Sequence, residues 1–453
     1  MALDPKAFKA YDVRGIYPSE LDEAGAYAVG RSYVEQFEPR AIAVGRDMRV
    51  SSPSIARAVM QGAADAGAEV KDIGMIGTEM LYFGVGDLDL DGGVMVTASH
   101  NPKEYTGMKI VRRGALPVGG DSGLLDVRDR AQRIESPELV GDPPAESVDI
   151  YPAFVERVLS FIDVGEVEPL RVVIDAGNGM AGAMLPPILE RLPVDAVRCF
   201  FEPDGTFPNH EPNPLLPENR EFIVGKVKEE RADLGIAFDG DADRCFFVDD
   251  TGEFVPGDFV TALLAESMLE KEPGAKIIYD VRASWAVPHI VEHHGGTPLV
   301  NRVGHAFIKE RMRKDGALFG GEVSGHYSFR DFNQADSGTI PALLMLELVS
   351  KRGKPLSELL RPFRERYFIT GEINTPVPDV ALKLQELKEH FAGEGEISHL
   401  DGISVTAKDW HLNVRPSNTE PLLRLNLEAL APDLMERKRD EALAVIRGEG
   451  LIS

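Results

Sequence analysis

The stretch "AIAVG" at residues 41 to 45, followed by "PSIARAVMQGAADAG" at 53 to 67, sets the pattern of this chain. A short β-branched run predicts a strand, and the longer segment with apolar residues at helical spacing predicts a helix. The same alternation returns twice: in "RVVIDAG" (171–177) with "GMAGAMLPPILERL" (179–192), and in "KIIYDV" (276–281) with "SWAVPHIVEHHG" (284–295). Strands that alternate with helices are typical of the α/β class.

A longer unit of strand, helix, strand, helix, strand and polar loop occurs three times along the chain. The closing loop is "TASHNP" at 97–102 in the first unit, "DGDADR" at 239–244 in the second and "GEVSGH" at 321–326 in the third. Each loop follows an apolar run that predicts a strand. Ligands of α/β sheets gather at the carboxyl ends of the strands, so the three loops are expected to share one site.

Beyond "RERYF" at 364–368 the repeat is lost, and the remaining sequence predicts a smaller α+β domain. The Pro-rich segment 203–220 is compatible with a linker, but we place it inside the second repeat because the closing strand of that repeat follows it. Four domains are therefore expected, and they span residues 1–145, 146–253, 254–365 and 366–453.

The composition excludes several classes of protein. Lys and Arg number 49 against 74 Asp and Glu, which gives a formal net charge of −25 and argues against a nucleic-acid-binding or polybasic membrane-surface protein. Cys199 and Cys245 lack metal-ligand spacing, which indicates a reducing compartment. With no signal-peptide pattern at the N-terminus and no apolar run of about 18 residues, a soluble cytoplasmic protein is expected.

The acidic loop "DGDADR" offers ligands for a cation. Its carboxylates alternate at Asp239, Asp241 and Asp243, so they converge if the loop turns tightly, and three hard oxygens suit Mg²⁺. An EF-hand is excluded because its sixth position requires Gly and its twelfth Glu, where this chain has Arg244 and Asp250. A solvated acidic turn is the simpler alternative, but it does not explain the adjoining arginine or the apolar runs on both sides.

The loop "TASHNP" places Ser99 beside His100. Taken alone, the loop is explained by a turn that Ser, Asn and Pro stabilise through local hydrogen bonds. A serine hydroxyl has a high pKa, so it needs a base or a metal to act as a nucleophile. The acidic loop of the neighbouring repeat would supply that metal.

Two further loops carry groups suited to a sugar phosphate. In "GEVSGH", Glu322 and Ser324 offer an acceptor and a donor for sugar hydroxyls between glycines that let a ligand approach. A loop whose Glu caps a helix is the alternative. In "RPSNTEP" (415–421), a guanidinium, hydroxyls and an amide suit a phosphate, although a helix-capping turn explains them equally. These groups belong to Arg415, Ser417, Asn418 and Thr419.

In this order, the motifs resemble those of the α-D-phosphohexomutases, specifically the phosphomannomutase/phosphoglucomutase group. The resemblance covers essentially the whole chain through "KAYDVRG", "GRDMRVSS", "TASHNP", "DAGNG", "DGDADR", "GHAFIK", "GEVSGH" and "RPSNTEP". It implies three topologically similar α/β domains with mixed sheets plus a smaller α+β C-terminal domain around a central cleft. It also implies an enzyme that interconverts hexose 1-phosphate and hexose 6-phosphate of mannose and/or glucose, through a phosphoserine and a hexose 1,6-bisphosphate.

The resemblance assigns roles to individual residues. Ser99 would carry the phosphoryl group, and Mg²⁺ would bind that phosphate with Asp239, Asp241 and Asp243. Sugar O3 and O4 would be held by Glu322 and Ser324, and the phosphate that is not transferred by Arg415, Ser417, Asn418 and Thr419. Further active-site positions are Tyr11, Arg14, His100, Lys109, Arg244, His305 and His326. Lys109 or His326 are the candidates for the base, with His305 third, and hexose 1,6-bisphosphate is the expected activator.

Two positions depart from the family pattern. Arg282 stands where many members have a substrate-facing lysine, and Val323 stands where Met is expected in hexomutases of this group and Gln in phosphoglucosamine mutases. A phosphoglucosamine mutase therefore stays an alternative. So do a sugar-phosphate phosphatase and a non-catalytic binding protein for Ca²⁺ or a sugar phosphate. The expected partner is a small hexose phosphate, without nucleic acid or membrane, and the chain is expected to be a monomer or a homodimer.

Overall fold

The computed structural model describes residues 3–135, 137–139, 141–417 and 421–449 of the chain. These residues form two compact units. The first unit comprises Met1–Val255 and Ser324–Leu356, and the second comprises Pro256–Val323 and Ser357–Ser453. Among the described residues, no helix has both the length and the apolar character needed to cross a bilayer.

The first sheet of the first unit has seven strands: β1 (Val13–Ile16), β2 (Ala41–Arg46), β3 (Glu69–Met75), β4 (Gly92–Val96), β5 (Tyr105–Arg112), β6 (Leu116–Pro117) and β7 (Ala145–Ser147). Their order is β1-β5-β4-β2-β3-β7, and β6 pairs with β5. The sheet is mixed, because β2 runs parallel to β3 and β4 whereas β5 runs antiparallel to β4 and β1. Its helices are α1 (Glu23–Phe37), α2 (Ser52–Asp65), α3 (Thr78–Asp87) and α4 (Leu124–Ala131).

Helices α1 and α2 pack closely through two glycines. A Cβ atom at Gly30 of α1 would lie 2.3 Å from the carbonyl oxygen of Val59, and one at Gly62 of α2 would lie 2.1 Å from that of Tyr27. Any larger residue at either position would push the helices apart. This close contact forms part of the core that supports the first sheet. Ser99, the candidate phosphoserine, follows β4 of this sheet.

The second sheet of the first unit has five strands: β8 (Arg171–Asp175), β9 (Asp195–Cys199), β10 (Leu234–Phe238), β11 (Cys245–Asp249) and β12 (Phe254–Val255). Their order is β12-β11-β10-β8-β9, with β8 parallel to β9 and β10, and β11 antiparallel to β10 and β12. The Pro-rich segment 203–220 lies between β9 and β10, inside the second repeat as predicted. The helices are α5 (Tyr151–Leu159), α6 (Ala181–Met184), α7 (Pro186–Leu189) and α8 (Pro217–Glu230).

One predicted helix is divided in the structure. The sequence predicts a single helix over 179–192, but α6 ends at Met184 and α7 begins at Pro186. Proline has no backbone N–H and disfavours the helical conformation of the residue before it, so Pro186 and Pro187 interrupt the hydrogen-bond pattern. Both prolines lie in the first turn of α7. Backbone N–H groups there have no hydrogen-bond partner within the helix, so their absence in proline costs no helical hydrogen bond.

In the second unit, β13 (Lys276–Asp280) lies between β14 (Thr297–Asn301) and β15 (Phe319–Gly321) and runs parallel to both. The helices of this region are α9 (Gly257–Lys271), α10 (Ala286–His293) and α11 (His305–Asp315). The chain re-enters the first unit at Ser324. There β16 (Tyr327–Phe329) pairs antiparallel with β17 (Ala335–Asp336), and α12 (Thr339–Arg352) follows; α13 (Leu356–Arg364) leads back into the second unit.

The C-terminal part of the second unit is an antiparallel sheet with two helices. Its strands are β18 (Phe368–Ile369), β19 (Ile373–Pro376), β20 (Glu396–Ser398), β21 (Ile403–Thr406), β22 (Trp410–Pro416) and β23 (Leu422–Ala429), and its helices are α14 (Val380–His390) and α15 (Pro432–Arg447). The order is β18-β23-β22-β21-β20, and β19 pairs with β23. The predicted class, three α/β domains with mixed sheets and a smaller α+β region, is confirmed. The domain boundaries stay predictions.

Candidate functional site

Ser99 lies in the loop after β4 and is buried, with 3% of its surface exposed. Its backbone is left-handed, with φ of 49°, a conformation that serine adopts only when its surroundings hold it. The Ser99 N–H donates to Thr97 Oγ1 at 2.9 Å, and the Ser99 hydroxyl donates to Asp239 Oδ2 at 2.8 Å. His100 Nδ1 lies 3.1 Å from the same hydroxyl, and burial lowers the pKa of His100 well below its usual value, so its ring is neutral.

Arg49 holds the shape of this loop. Its guanidinium is buried and donates to the carbonyl oxygens of Ser99 at 2.8 Å and Asn101 at 2.6 Å, and to those of Pro102 at 2.8 Å and Tyr105 at 3.1 Å. Sequence reasoning included this arginine in the motif "GRDMRVSS" but gave it no role. Nothing in the motif shows that the side chain reaches a loop some 50 positions further along the chain.

The loop after β10 brings three carboxylates together. Asp239, Asp241 and Asp243 are all fully buried, and one oxygen from each lies within 4.8 Å of the others. The loop passes very close to the serine loop, because a Cβ atom at Gly240 would lie 2.4 Å from the carbonyl oxygen of Ser99. Glycine at this position therefore allows the hydroxyl and the carboxylates to share one buried cluster.

Cations balance part of this negative charge. The ammonium group of Lys109, on β5, donates to Asp241 Oδ2 at 2.7 Å and to Asp243 Oδ2 at 2.5 Å. Arg244 Nε donates to Asp239 Oδ2 at 2.9 Å. Arg14 Nη1 donates to the carbonyl oxygen of Ala98 at 3.1 Å and also contacts the Asn101 side chain. Three predicted cations thus lie around the serine and the carboxylates.

The carboxylates of the cluster have different proton affinities. Burial raises the pKa of Asp239 to about 7, although the charge of Arg244 opposes the rise. Burial also disfavours the ionised form of Asp241, but the charge and hydrogen bond of Lys109 outweigh it and hold the pKa of Asp241 well below its usual range. Burial lowers the pKa of Lys109, whereas the neighbouring aspartates raise it, with a net rise. Lys109 and Asp241 therefore form an ionised pair.

The residues present fit a hard divalent cation. Among the described residues, Asp241 Oδ1 and Asp243 Oδ1 are buried without a hydrogen-bond partner. A buried carboxylate oxygen without a partner is costly, and a cation removes that cost. Oxygen ligands of this kind suit Mg²⁺ or Mn²⁺, so the donor set agrees with the metal that the resemblance implies.

His326 lies beside the same loop in the first unit. Its Nε2 is 3.8 Å from Asp243 Oδ1, and its Nδ1 is 3.1 Å from the hydroxyl oxygen of Ser324. A backbone bridge between Arg244 and His326 fixes the histidine at this position. The second half of "GEVSGH" is thereby placed next to the acidic loop.

The second unit holds Glu322 and Arg282. Arg282 Nε and Nη2 donate to the two carboxylate oxygens of Asp280 at 3.0 and 2.9 Å, and Nη2 lies 3.8 Å from Glu322 Oε1. Glu322 accepts the N–H of Gly304 at 2.9 Å, while burial and the charge of Asp280 raise the pKa of Glu322. The bidentate contact fixes the guanidinium of Arg282 in a way that a lysine ammonium would not reproduce.

Glu372 joins three arginines of the second unit. Its carboxylate accepts from Arg415 Nη2 at 2.9 Å and Arg424 Nη1 at 3.0 Å, and it lies 3.5 Å from Arg282 Nη1. Arg415 and Arg424 are direct cross-strand partners on β22 and β23, where their like charges would repel without the carboxylate. Arg424 Nη2 also donates to Ser417 Oγ at 3.3 Å. Among the described residues, the buried Nε of Arg415 has no hydrogen-bond partner.

The predicted residues fall into two groups. In the first unit the contacts above join Ser99 with His100, Arg14, Lys109, the three aspartates, Arg244, Ser324 and His326. Tyr11 lies in this unit just before β1. The second unit holds Arg282, Glu322, Arg415 and Ser417, with His305 at the first position of α11. Asn418 and Thr419 lie outside the described residues. Sequence reasoning missed Glu372 and Arg424, because only strand pairing places them beside Arg415.

Comparison with known proteins gives consistent matches along the chain. Three stretches match the alpha/beta/alpha domains I, II and III of phosphoglucomutase/phosphomannomutase, in this order: residues 5–137, 152–252 and 256–367. The C-terminal domain of the same family matches residues 372–445. A "Phosphomannomutase" of Salmonella montevideo is 45% identical over 449 residues, which cover 97% of this chain and 98% of that protein. A protein of Xanthomonas campestris named "Phosphohexose mutases" is 44% identical over 446 residues, which cover 98% of this chain and 99% of that protein.

A solved structure agrees with these matches. The crystal structure of a phosphoglucomutase/phosphomannomutase family protein from Burkholderia thailandensis has a TM-score of 0.88 and 33% identity and covers 98% of both chains. Relatives of this similarity, which extend over almost the whole chain, support a mutase that transfers phosphoryl groups. On these matches and the four domains in sequence, the chain belongs to the phosphoglucomutase/phosphomannomutase family.

Proposed function

We propose that this enzyme interconverts the 1-phosphate and the 6-phosphate of mannose and/or glucose through phosphorylated Ser99 and a hexose 1,6-bisphosphate. The observation that carries the proposal is the hydrogen bond of the Ser99 hydroxyl to Asp239 at 2.8 Å, inside a buried cluster of three carboxylates and two cations. A solvated acidic turn would not be buried in this way. The cluster unites a hydroxyl that can carry a phosphoryl group with the charges that its transfer needs.

The first step would move the phosphoryl group from Ser99 to the free hydroxyl of the bound hexose monophosphate. The bond between Ser99 Oγ and phosphorus breaks, the sugar oxygen bonds to phosphorus, and the hydroxyl proton passes to a base. The intermediate then turns over and returns its other phosphoryl group to Ser99. Arg244 and Lys109 would balance the charge on the phosphoryl oxygens, as their contacts with Asp239 and Asp241 support.

The site for Mg²⁺ in this proposal is formed by Asp239, Asp241 and Asp243 with the Ser99 phosphate. The ion would neutralise charge on the phosphoryl oxygens. The chain contributes the geometry, since the buried Oδ1 atoms of Asp241 and Asp243 have no hydrogen-bond partner among the described residues.

For the base we propose His326 in preference to Lys109. The ammonium of Lys109 donates to two carboxylates and is held in its protonated form, so it suits charge stabilisation. His326 has a ring nitrogen near Asp243 and is 17% exposed at its side chain, so it can meet a substrate hydroxyl. His305, at the start of α11, is the third candidate.

A further set of residues would bind the substrate. We assign Glu322, together with Ser324, to the sugar O3 and O4, and Arg415 with Ser417 to the phosphate that is not being transferred. Asn418 and Thr419 complete that assignment from the sequence pattern alone. The adjacent guanidinium groups of Arg415 and Arg424 support the phosphate role, and the buried Glu322 supports recognition by hydrogen bonds.

The remaining parts of the proposal concern the whole protein. We propose the four-domain division at residues 1–145, 146–253, 254–365 and 366–453, a cytoplasmic location, and a monomer or homodimer. Hexose 1,6-bisphosphate would act as activator, because it can phosphorylate Ser99 that has lost its phosphoryl group. Burial of both thiols, Cys199 and Cys245, is compatible with a reducing compartment.

One assay tests the function against its alternatives. Purified protein is given glucose 1-phosphate and Mg²⁺, with and without glucose 1,6-bisphosphate, and glucose 6-phosphate and inorganic phosphate are both measured. A mutase forms glucose 6-phosphate, and the bisphosphate stimulates it. A phosphatase releases inorganic phosphate, and a binding protein produces neither. Parallel assays with glucosamine 1-phosphate test the phosphoglucosamine mutase alternative.

Replacement of Arg415 by alanine is expected mainly to raise KM for glucose 1-phosphate. Its contact with the phosphate exists in both the ground and the transition state, so its loss lowers binding in both. We expect a loss of about 2 to 4 kcal/mol in kcat/KM, measured by steady-state kinetics. Arg437→Ala, at an exposed position of α15, is the matched control. An Arg415→Ala enzyme with normal KM and reduced kcat would contradict the assignment.

The enzyme is expected to use mannose 1-phosphate and glucose 1-phosphate with comparable kcat/KM. These sugars differ only at C2, whereas the proposed contacts of Glu322 and Ser324 are with O3 and O4. When the bisphosphate turns over in the site, O3 and O4 approximately exchange positions, whereas O2 moves to a different position. A preference beyond about a hundredfold, or about 2.7 kcal/mol, would reveal a dedicated partner for the C2 hydroxyl.

Glu322→Gln extends this specificity test. The variant should lower kcat/KM for both sugars by a similar factor, because it weakens contacts that the two substrates share. Glu310→Gln, at an exposed position of α11, serves as the control. Unequal losses in the Glu322→Gln enzyme would show that this side chain senses the configuration at C2.

A further inference from the structure

The start of α3 is in direct contact with the acidic loop in the first unit. Thr78, the first residue of that helix, is fully buried. Its N–H donates to the backbone carbonyl of Asp241 at 2.9 Å, and its hydroxyl donates to Asp241 Oδ2 at 2.5 Å. The approach is close, since a Cβ atom at Gly77 would lie 2.9 Å from the Asp241 carbonyl oxygen. Thr78 therefore fixes both the backbone and the side chain of Asp241.

The contact determines which carboxylate oxygen of Asp241 is available. Oδ2 already accepts from Thr78 and from Lys109, the latter at 2.7 Å. Oδ1 is buried and has no hydrogen-bond partner among the described residues. A carboxylate held in this way cannot exchange its two oxygens without breaking two hydrogen bonds. The orientation of Asp241 is thus set before any ligand arrives.

The next residue, Glu79, secures the helix that carries Thr78. Its fully buried carboxylate accepts from the Thr339 hydroxyl at 2.5 Å and N–H at 3.2 Å, and from the Ser337 hydroxyl. These partners lie at the start of α12, where a Cβ atom at Gly338 would lie 2.5 Å from the Ala242 carbonyl oxygen. The acidic loop is therefore held between the first turns of α3 and α12, and Glu79 connects the two.

We propose that Thr78 is a positioning residue for the metal, because its hydroxyl turns Asp241 so that Oδ1 faces the cation. Glu79 would support it by keeping the start of α3 in place. The inference rests on the proposed role of Asp239, Asp241 and Asp243 as metal ligands. A hydrogen bond from a residue that does not itself touch the metal can orient a metal ligand, and its loss usually weakens metal binding.

Two substitutions separate the hydroxyl from the packing of the side chain. Thr78→Val keeps the shape and removes the donor, whereas Thr78→Ser keeps the donor and removes a methyl group. Mn²⁺ is titrated into the purified full-length proteins and followed by electron paramagnetic resonance, with Mg²⁺ competition. We expect Thr78→Val to weaken Mn²⁺ binding about 10- to 100-fold, and Thr78→Ser to stay within about threefold of the wild type. The KM for glucose 1-phosphate should be nearly unchanged in both.

The outcomes separate this inference from the proposed function. Asp241→Asn is titrated alongside, and it should weaken Mn²⁺ binding if the aspartates are ligands. If it does while Thr78→Val binds like the wild type, or Thr78→Ser fails to restore binding, the positioning role is wrong and the metal site stands. If Asp241→Asn has no effect on Mn²⁺ binding, the metal assignment is wrong and the inference falls with it. Thr78→Ala, compared with the same Ser variant, replaces Thr78→Val if the latter does not fold.

Discussion

Replacement of Ser99 by alanine is expected to reduce kcat by about three to six orders of magnitude, the range seen when a nucleophile is removed. The variant loses the oxygen to which the phosphoryl group is attached in the proposed cycle, the same hydroxyl that donates to Asp239. The fold should survive, since the loop is fixed through the backbone by Arg49. Coupled formation of glucose 6-phosphate measures the rate, and circular dichroism and melting temperature measure the fold.

The carrier role has a direct chemical readout. Wild-type enzyme incubated with glucose 1,6-bisphosphate should gain one phosphoryl group, and peptide mass spectrometry should locate it at Ser99. The Ser99→Ala enzyme should gain none, and Ser147→Ala, at an exposed position of β7, should behave like the wild type. Turnover close to normal in Ser99→Ala would contradict the phosphoserine mechanism.

Asp241→Asn is expected to lower activity about a hundredfold or more and to raise the Mg²⁺ concentration needed for half-maximal rate. The substitution removes one anionic oxygen from the proposed cation site, and it also removes one of the two carboxylates that pair with Lys109. Both losses leave positive charge badly placed for phosphoryl transfer. Rates measured over a Mg²⁺ series, at saturating glucose 1-phosphate and bisphosphate, give both quantities.

A matched variant separates the local effect from a general change in charge. Asp195→Asn removes one negative charge from β9, at the edge of the same sheet, where Asp195 forms an exposed ion pair with Arg171. Exposed pairs contribute little to stability, so this variant should keep wild-type rates and Mg²⁺ dependence. If Asp241→Asn showed the same Mg²⁺ dependence as the wild type, the cation would have to bind elsewhere.

Much of the fold follows from local patterns in the sequence. β4 and β10 are buried at every position, and their apolar runs predict buried strands without any knowledge of the tertiary structure. The helix predicted over 179–192 was wrong in its continuity, because two adjacent prolines interrupt it. The C-terminal sheet was predicted only as a class, since strand order depends on contacts that a single segment does not reveal.

The residues of the site were likewise only partly predictable from the sequence. Ser99, Asp239, Asp241 and Asp243 lie in compact motifs, so the sequence alone suggested that they act together. Arg49 and Glu372 could not be assigned in this way, because each acts across a large separation along the chain. Their partners are backbone carbonyls in one case and cross-strand arginines in the other, and neither leaves a spacing pattern. The contacts of Glu372 become predictable only when the register that pairs Arg415 with Arg424 is known.

The contacts of Arg49 have a consequence for how freely this enzyme can change its sequence. A backbone carbonyl is the same group in every amino acid, so an arginine that binds the loop through carbonyls is indifferent to most side chains between Asn101 and Tyr105. Substitutions there can alter what the loop presents to a ligand while its path is preserved. This tolerance depends on the single arginine at position 49. A lysine there would lack the forked guanidinium that four carbonyl contacts need. We therefore expect the fold of the loop to depend more on Arg49 than on the side chains of the loop residues whose carbonyl groups it binds.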